Sequence, residues 1–101
     1  MRIGVYVRVS TPNQMQKQTI EQQLDRLRVF LAAQHEDLAD DQIFRDDGYS
    51  GAHLRRPGLD RLRDAVHRNE LDRLLVTAPD RLARNYVHQM LLLEEFAGSG
   101  C

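Results

Sequence analysis

From Arg2 to Ser10 the chain alternates strictly, with Ile3, Val5, Val7 and Val9 on one parity and Gly4, Tyr6, Arg8 and Ser10 on the other. That two-residue period predicts a strand. Thr11-Pro12-Asn13 breaks it. Thr19 and Gln22 have the spacing of a capping box, and Ile20, Leu24, Leu27 and Leu31 follow at i, i+4, i+7 and i+11, so a helix is expected from near Thr19. The polar stretch from His35 to Asp41 reads as a loop. Ile43 and Phe44 predict a short second strand ending in Arg45-Asp46-Asp47. Gly48 to His53, with two glycines and little apolar content, reads as a mobile loop. Pro57 suits the first turn of a helix whose buried stripe is Leu59, Leu62 and Val66. Leu74-Leu75-Val76 predicts a third strand, stopped by Pro79. A last helix is expected from about Asn85 to Gly98, with Tyr86, Met90, Leu93 and Ala97 as its core-facing side.

The order β-α-β-α-β-α implies one α/β domain over residues 1–101, an open, doubly wound, mainly parallel sheet with helices on both faces. Residues of a central strand in such a sheet are covered on both sides and are expected to be apolar. The first strand departs from this at Tyr6, Arg8 and Ser10. A buried Arg8 costs several kcal/mol unless it is paired or reaches a solvated cleft, so it marks a site. Ligands in these folds bind beyond the carboxyl ends of the strands. Ser10 follows the first strand, Asp46 and Asp47 the second, and Asp80, Arg81 and Arg84 the third, so parallel strands bring them to one edge. A hydroxyl among arginines suits chemistry on an anionic phosphoryl centre, where fixed cations stabilise developing charge. No histidine pairs with Ser10 in the manner of an acyl-transfer triad, and no acidic cluster has metal-ligand spacing, so no metal or cofactor is expected.

Composition narrows the field. A net charge of −1 argues against a nonspecific nucleic-acid coat. No apolar run approaches the roughly 20 residues of a membrane span, and no secretory signal opens the chain. The single cysteine, Cys101, permits no disulfide framework, and a cytoplasmic setting is the expectation. Thirteen of the 14 basic residues are Arg. Codon usage explains such a bias equally well, so the positions of the arginines carry the argument. His35, His53, His67 and His88 are scattered and read as surface residues.

Tyr6-Val7-Arg8-Val9-Ser10-Thr11 and Asp80-Arg81-Leu82-Ala83-Arg84-Asn85 together resemble the signature pair of the serine recombinases, the resolvase–invertase and large serine integrase group. Gly48-Tyr49-Ser50-Gly51 and Arg56-Pro57-Gly58-Leu59 are similar to that family's mobile loop and following helix, in the same order. The resemblance implies that Ser10 attacks the scissile phosphate, forming a 5′-phosphoserine link and releasing a 3′-hydroxyl. Arg8, Arg81 and Arg84 would cradle the phosphate, Arg56 would join them, and Asp80 would orient the arginines or handle protons. Gln23 and Asp46 fall where the family has supporting polar residues, and Tyr6 where it has a structural or DNA-contacting tyrosine. Partners implied are a DNA recombination site and further subunits, as dimer and tetramer, in a prokaryotic cytoplasm at the nucleoid. The family continues with a fourth strand, a dimerisation helix and a DNA-binding domain, so the expectation here is a catalytic-domain piece truncated after the third β-α unit, weak or inactive alone, with an exposed sheet edge. The rival expectation is a non-enzymatic anion-binding or dimerising module on the same fold. A nucleotide-binding enzyme fits less well, because no Gly-rich phosphate loop follows the first strand.

Overall fold

The alternating N-terminal segment forms the middle of the sheet. In the computed structural model, which describes residues 2–9, 19–48, 54–78 and 81–98, β1 (Ile3–Val9) is flanked in parallel by β2 (Ile43–Asp47) and β3 (Arg73–Leu75), in the order β2-β1-β3. All seven residues of β1 are buried, as a strand covered on both faces requires. Its odd positions pack on α1 (Ile20–Ala32) through Ile20, Leu24, Leu27 and Leu31. On the other face Tyr6 and Phe44 meet α2 (Pro57–His67) through Leu59, Leu62 and Val66, and α3 (Tyr86–Gly98) through Leu92 and Phe96. Helices therefore lie on both faces, as the doubly wound pattern requires.

Local chemistry explains the boundaries. The capping box of α1 is formed: Gln22 N donates to Thr19 Oγ1 at 3.2 Å, and Thr19 N donates to Gln22 Oε1 at 3.0 Å. Pro57 occupies the first turn of α2, and the helix closes on Asn69 at φ 57°, with Glu70 N donating to Ala65 O and Asn69 N to Val66 O. The polar 35–41 stretch is a turn that ends in a short 3-10 segment, Asp40–Gln42. β3 is one residue earlier than the apolar run indicates, because Arg73 rather than Val76 pairs with β1.

One expectation fails. Tyr86, Met90, Leu93 and Ala97 do not face the core: Tyr86 is 71% and Leu93 51% exposed, whereas Leu92 and Phe96 are buried. The helix is apolar nearly all round, so its sequence leaves the rotational phase open. The phase is set where the helix begins. Asn85 Oδ1 accepts from Val87 N at 2.7 Å, and Gln89 reaches back to Ala83 O.

An ion pair fastens α3 to α2. Arg63 Nε and Nη2 each donate to the Glu95 carboxylate at 2.8 Å, with His67 Nε2 at 3.5 Å. The bond from Arg63 holds the Glu95 carboxyl below its ordinary value of 4.5. A depressed carboxyl stabilises the fold above the unfolded-chain value and loses that contribution as pH falls through the folded one. Glu95→Gln is expected to cost less than about 1 kcal/mol at pH 7. Urea melts at pH 7 and well below 4.5 check this, because the difference from the parent should shrink at the lower pH.

The strand order also positions the site. The chain runs from β1 to β2 on one side and returns to β3 on the other, so the switch point at which ligands bind in such sheets falls beyond the carboxyl ends of β1 and β3. β3 stops opposite Val5, four residues before β1 ends.

Candidate active site

The even parity of β1 carries Tyr6 and Arg8 onto the α2–α3 side, and both are buried, Arg8 to 1% exposure. A guanidinium so placed must find acceptors in the protein. Arg8 Nε donates to Arg81 O at 2.9 Å, and Arg81 Nη1 donates back to Arg8 O at 3.1 Å. The end of β1 and the loop after β3 are thus cross-tied by two arginines, each using the other's carbonyl.

Gln23 completes the strand. Gly48 N donates to Val9 O on the β2 side, so the main-chain groups of Arg8 point the other way, where β3 has already ended. Gln23, fully buried on α1, accepts from Arg8 N at 3.2 Å through Oε1 and donates to Arg8 O at 3.0 Å through Nε2. Its amide replaces a missing strand partner, which is what a buried backbone pair demands.

Asp46 is not a simple strand end. It is 2% exposed, and its carboxylate accepts from Gly58 N at 2.7 Å, Leu59 N at 2.9 Å and Tyr6 Oη at 2.6 Å. It thereby caps the first turn of α2 from a neighbouring strand, with its negative charge at the positive helix end. Gly58 permits the close approach: a Cβ there would sit 2.3 Å from Arg45 O. Because the obstacle is backbone, Gly58→Ala has to part α2 from β2, with an expected loss of about 1–3 kcal/mol in the denaturation free energy. A melt unchanged from the parent would count against this packing.

Arg56, the residue before α2, is 1% exposed and spends its guanidinium on the protein. Nη1 donates to Tyr6 Oη at 3.0 Å and to Arg81 O at 3.3 Å, and Nη2 donates to Leu82 O. It also lies 5.7 Å from the Tyr6 ring centroid. Tyr6, Asp46 and Arg56 thus form one hydrogen-bonded chain from the β2 edge to the loop after β3.

Charge follows from this geometry. Burial, together with the hydrogen bond to Asp46, holds the Tyr6 hydroxyl far above its ordinary range, in keeping with its role as donor to Asp46. Burial also pulls Arg8 below its usual value, with Arg56, Arg81 and Arg84 pushing the same way. A buried cation crowded by other cations favours an anion beside it. Arg81 is half-buried and Arg84 exposed. Among the described residues, Arg56 Nε, Thr77 Oγ1, Arg81 Nε and His88 Nδ1 are buried without a hydrogen-bond partner, and Thr77 and Arg81 lie in the connection that follows β3.

The structure therefore brings together Tyr6, Arg8, Gln23, Asp46, Arg56 and Arg81, with Arg84 close enough to act on Arg8 electrostatically. Ser10 and Asp80 lie outside the described residues, as do residues 49–53 of the expected loop. Sequence reasoning passed over the carbonyls of Arg81, Leu82 and Ala83 and the side chain of Gln89. Carbonyls leave no trace in a sequence, and Gln89 stands out only once the inward stripe of α3 is known.

The sheet order and this cluster define an α/β domain with several arginines gathered beyond the ends of β1 and β3. The chain belongs to the family described as "Resolvase, N terminal domain", whose model matches residues 3–101. A putative DNA recombinase of Bacillus subtilis (strain 168) is 32% identical over 94 residues, covering 92% of this chain and 18% of that protein. This chain therefore spans less than a fifth of that relative. The N-terminal catalytic domain of TP901-1 integrase superposes with a TM-score of 0.90 at 31% identity, over 99% of this chain and 74% of that one. The C-terminal catalytic domain of ISC1926 TnpA, an IS607-like serine recombinase, superposes with a TM-score of 0.84 at 28% identity, over 99% and 63%. No helix of the described residues is long and apolar enough to cross a membrane.

Proposed function

We propose that this chain carries the nucleophile and the phosphate-binding arginines of a serine recombinase, acting on a DNA recombination site. The observation that carries the reading is the placement of Arg8, locked to Arg81 at the end of β1 and two residues before Ser10. In this mechanism Ser10 Oγ bonds to the scissile phosphorus, and the bond from phosphorus to the 3′ oxygen breaks. Ser10 gives up its hydroxyl proton, the leaving oxygen takes one up to become a 3′-hydroxyl, and the 5′ end remains on Ser10 as a phosphodiester. Arg81 and Arg84 supply the accessible positive charge for the added phosphoryl oxygens, and Arg8 stiffens the strand that delivers the serine. Gln23, Asp46, Tyr6 and Arg56 hold that strand and the arginine loop in place. Asp80, beside Arg81 in sequence, orients the arginines or relays the proton. The bond energy is kept in the protein–DNA link, so reversal by a 3′-hydroxyl rejoins DNA without a nucleotide cofactor. Exchange between two sites requires several copies of the serine at once, which a dimer or tetramer in the cytoplasm provides.

Trapping tests the reading. The complete product of the gene is incubated with end-labelled DNA from its own recombination site, nicked to block rejoining. A protein–DNA adduct that survives denaturation is expected. DNA bound without any adduct would favour a non-enzymatic anion-binding module.

A further inference from the structure

Two arginines of the cluster, Arg81, in 3-10 conformation, and Arg84, lie in the connection between β3 and α3. No strand or α-helix ladder takes up the carbonyls of Arg81, Leu82 and Ala83, so they need other partners. Three consecutive ones are taken by side chains. Arg81 O accepts from Arg8 and Arg56, Leu82 O from Arg56, and Ala83 O from Gln89 Nε2 at 2.7 Å. The first three bonds come from Arg8 and Arg56, residues of the arginine cluster. The fourth comes from α3, on the same inward stripe as Leu92 and Phe96, three and seven residues further on.

We infer that Gln89 is a positioning residue of the site, fixing the Arg81–Asn85 turn from the α3 side so that Arg81 and Arg84 are presented together. The inference rests on the reading of the arginines given above. Gln89 mirrors Gln23: each is a helix glutamine whose amide engages the main chain of an arginine-bearing segment, Gln23 at Arg8 and Gln89 at Ala83, next to Arg84. Ala83 is fully buried, so no bulk water replaces the lost donor. Asn85 caps α3 one turn earlier, so the helix itself keeps its start when Gln89 is changed. The consequence is local: the turn loosens while the core stays.

The test has two arms. In the first, the chain carries 15N-arginine, and exchange of the Arg8 Nε–H with water is followed by NMR without DNA. Gln89→Met keeps length and helix propensity but removes the donor, and Gln89→Asn keeps the amide but falls short. Both are expected to speed this exchange by about fivefold or more through local opening. Gln89→Lys, which restores a donor of sufficient reach, is expected to return it to within about twofold. In the second arm, the complete protein forms the trapped adduct at a rate about tenfold lower in Gln89→Met, with the half-saturating DNA concentration within about twofold of the parent. Exchange rates unchanged in both Met and Asn variants, or no recovery with Lys, would overturn the inference. Absence of adduct from the unsubstituted protein would count against the Ser10 reading instead, and the exchange arm would still decide the role of Gln89.

Discussion

Replacing Asp46 with Ala is expected to destabilise the folded chain by about 3–5 kcal/mol, the cost of stripping one partner from a buried charged network. Three donors lose their acceptor together: Gly58 N, Leu59 N and the Tyr6 hydroxyl. Tyr6 is fully buried, so solvent cannot take over its bond. The first turn of α2 loses both its cap and the negative charge that faces its positive end. Arg56 is left with a hydroxyl partner that no longer has a fixed direction, close to a second buried cation, Arg8. Against the 5–15 kcal/mol typical of a domain, about 4 kcal/mol is a large fraction. Asp46→Asn keeps an acceptor but not the charge, and is expected to fall between the parent and Ala. Urea denaturation of the three proteins checks the order. A loss below about 1 kcal/mol for Asp46→Ala would mean that the capping arrangement contributes little.

The second large effect is on chemistry. Ser10→Ala removes the hydroxyl of the residue that follows β1 in sequence and leaves the arginines in place, so DNA affinity should persist while covalent capture disappears. A reduction in adduct of more than about a thousandfold is expected, because a missing nucleophile leaves only binding and charge stabilisation. The arginines predict the opposite pattern. Arg84 is exposed, and Arg84→Ala should weaken DNA binding and capture together. Serine and arginine variants are therefore separable by measuring binding and capture on the same DNA.

Much of the fold was readable because each face of β1 has its own parity. Ile3, Val5, Val7 and Val9 give an apolar set, and Tyr6 and Arg8 give the exceptions that mark a site. Thr19 and Gln22 announce α1 through a bond pair that depends on their spacing alone. The phase of α3 was not readable, since Tyr86, Val87, Met90, Leu91, Leu92, Leu93 and Phe96 allow more than one apolar face. Its true phase is set outside the helix, at Ala83 and Asn85. The cluster was legible as a list of side chains but not as a geometry. Arg56 was expected beside the other arginines and lies there, yet its bonds run to the carbonyls of Arg81 and Leu82. Gln23 likewise owes its partner to the early end of β3 opposite Val5, a length that the apolar run of that strand does not specify.

The most direct test is to digest the trapped adduct and locate the nucleotide by tandem mass spectrometry. The account predicts a phosphonucleotide on the peptide that contains Ser10, joined through the 5′ phosphate, with a free 3′-hydroxyl on the released strand. A nucleotide on any other residue, or a 3′-phosphate link, would contradict it.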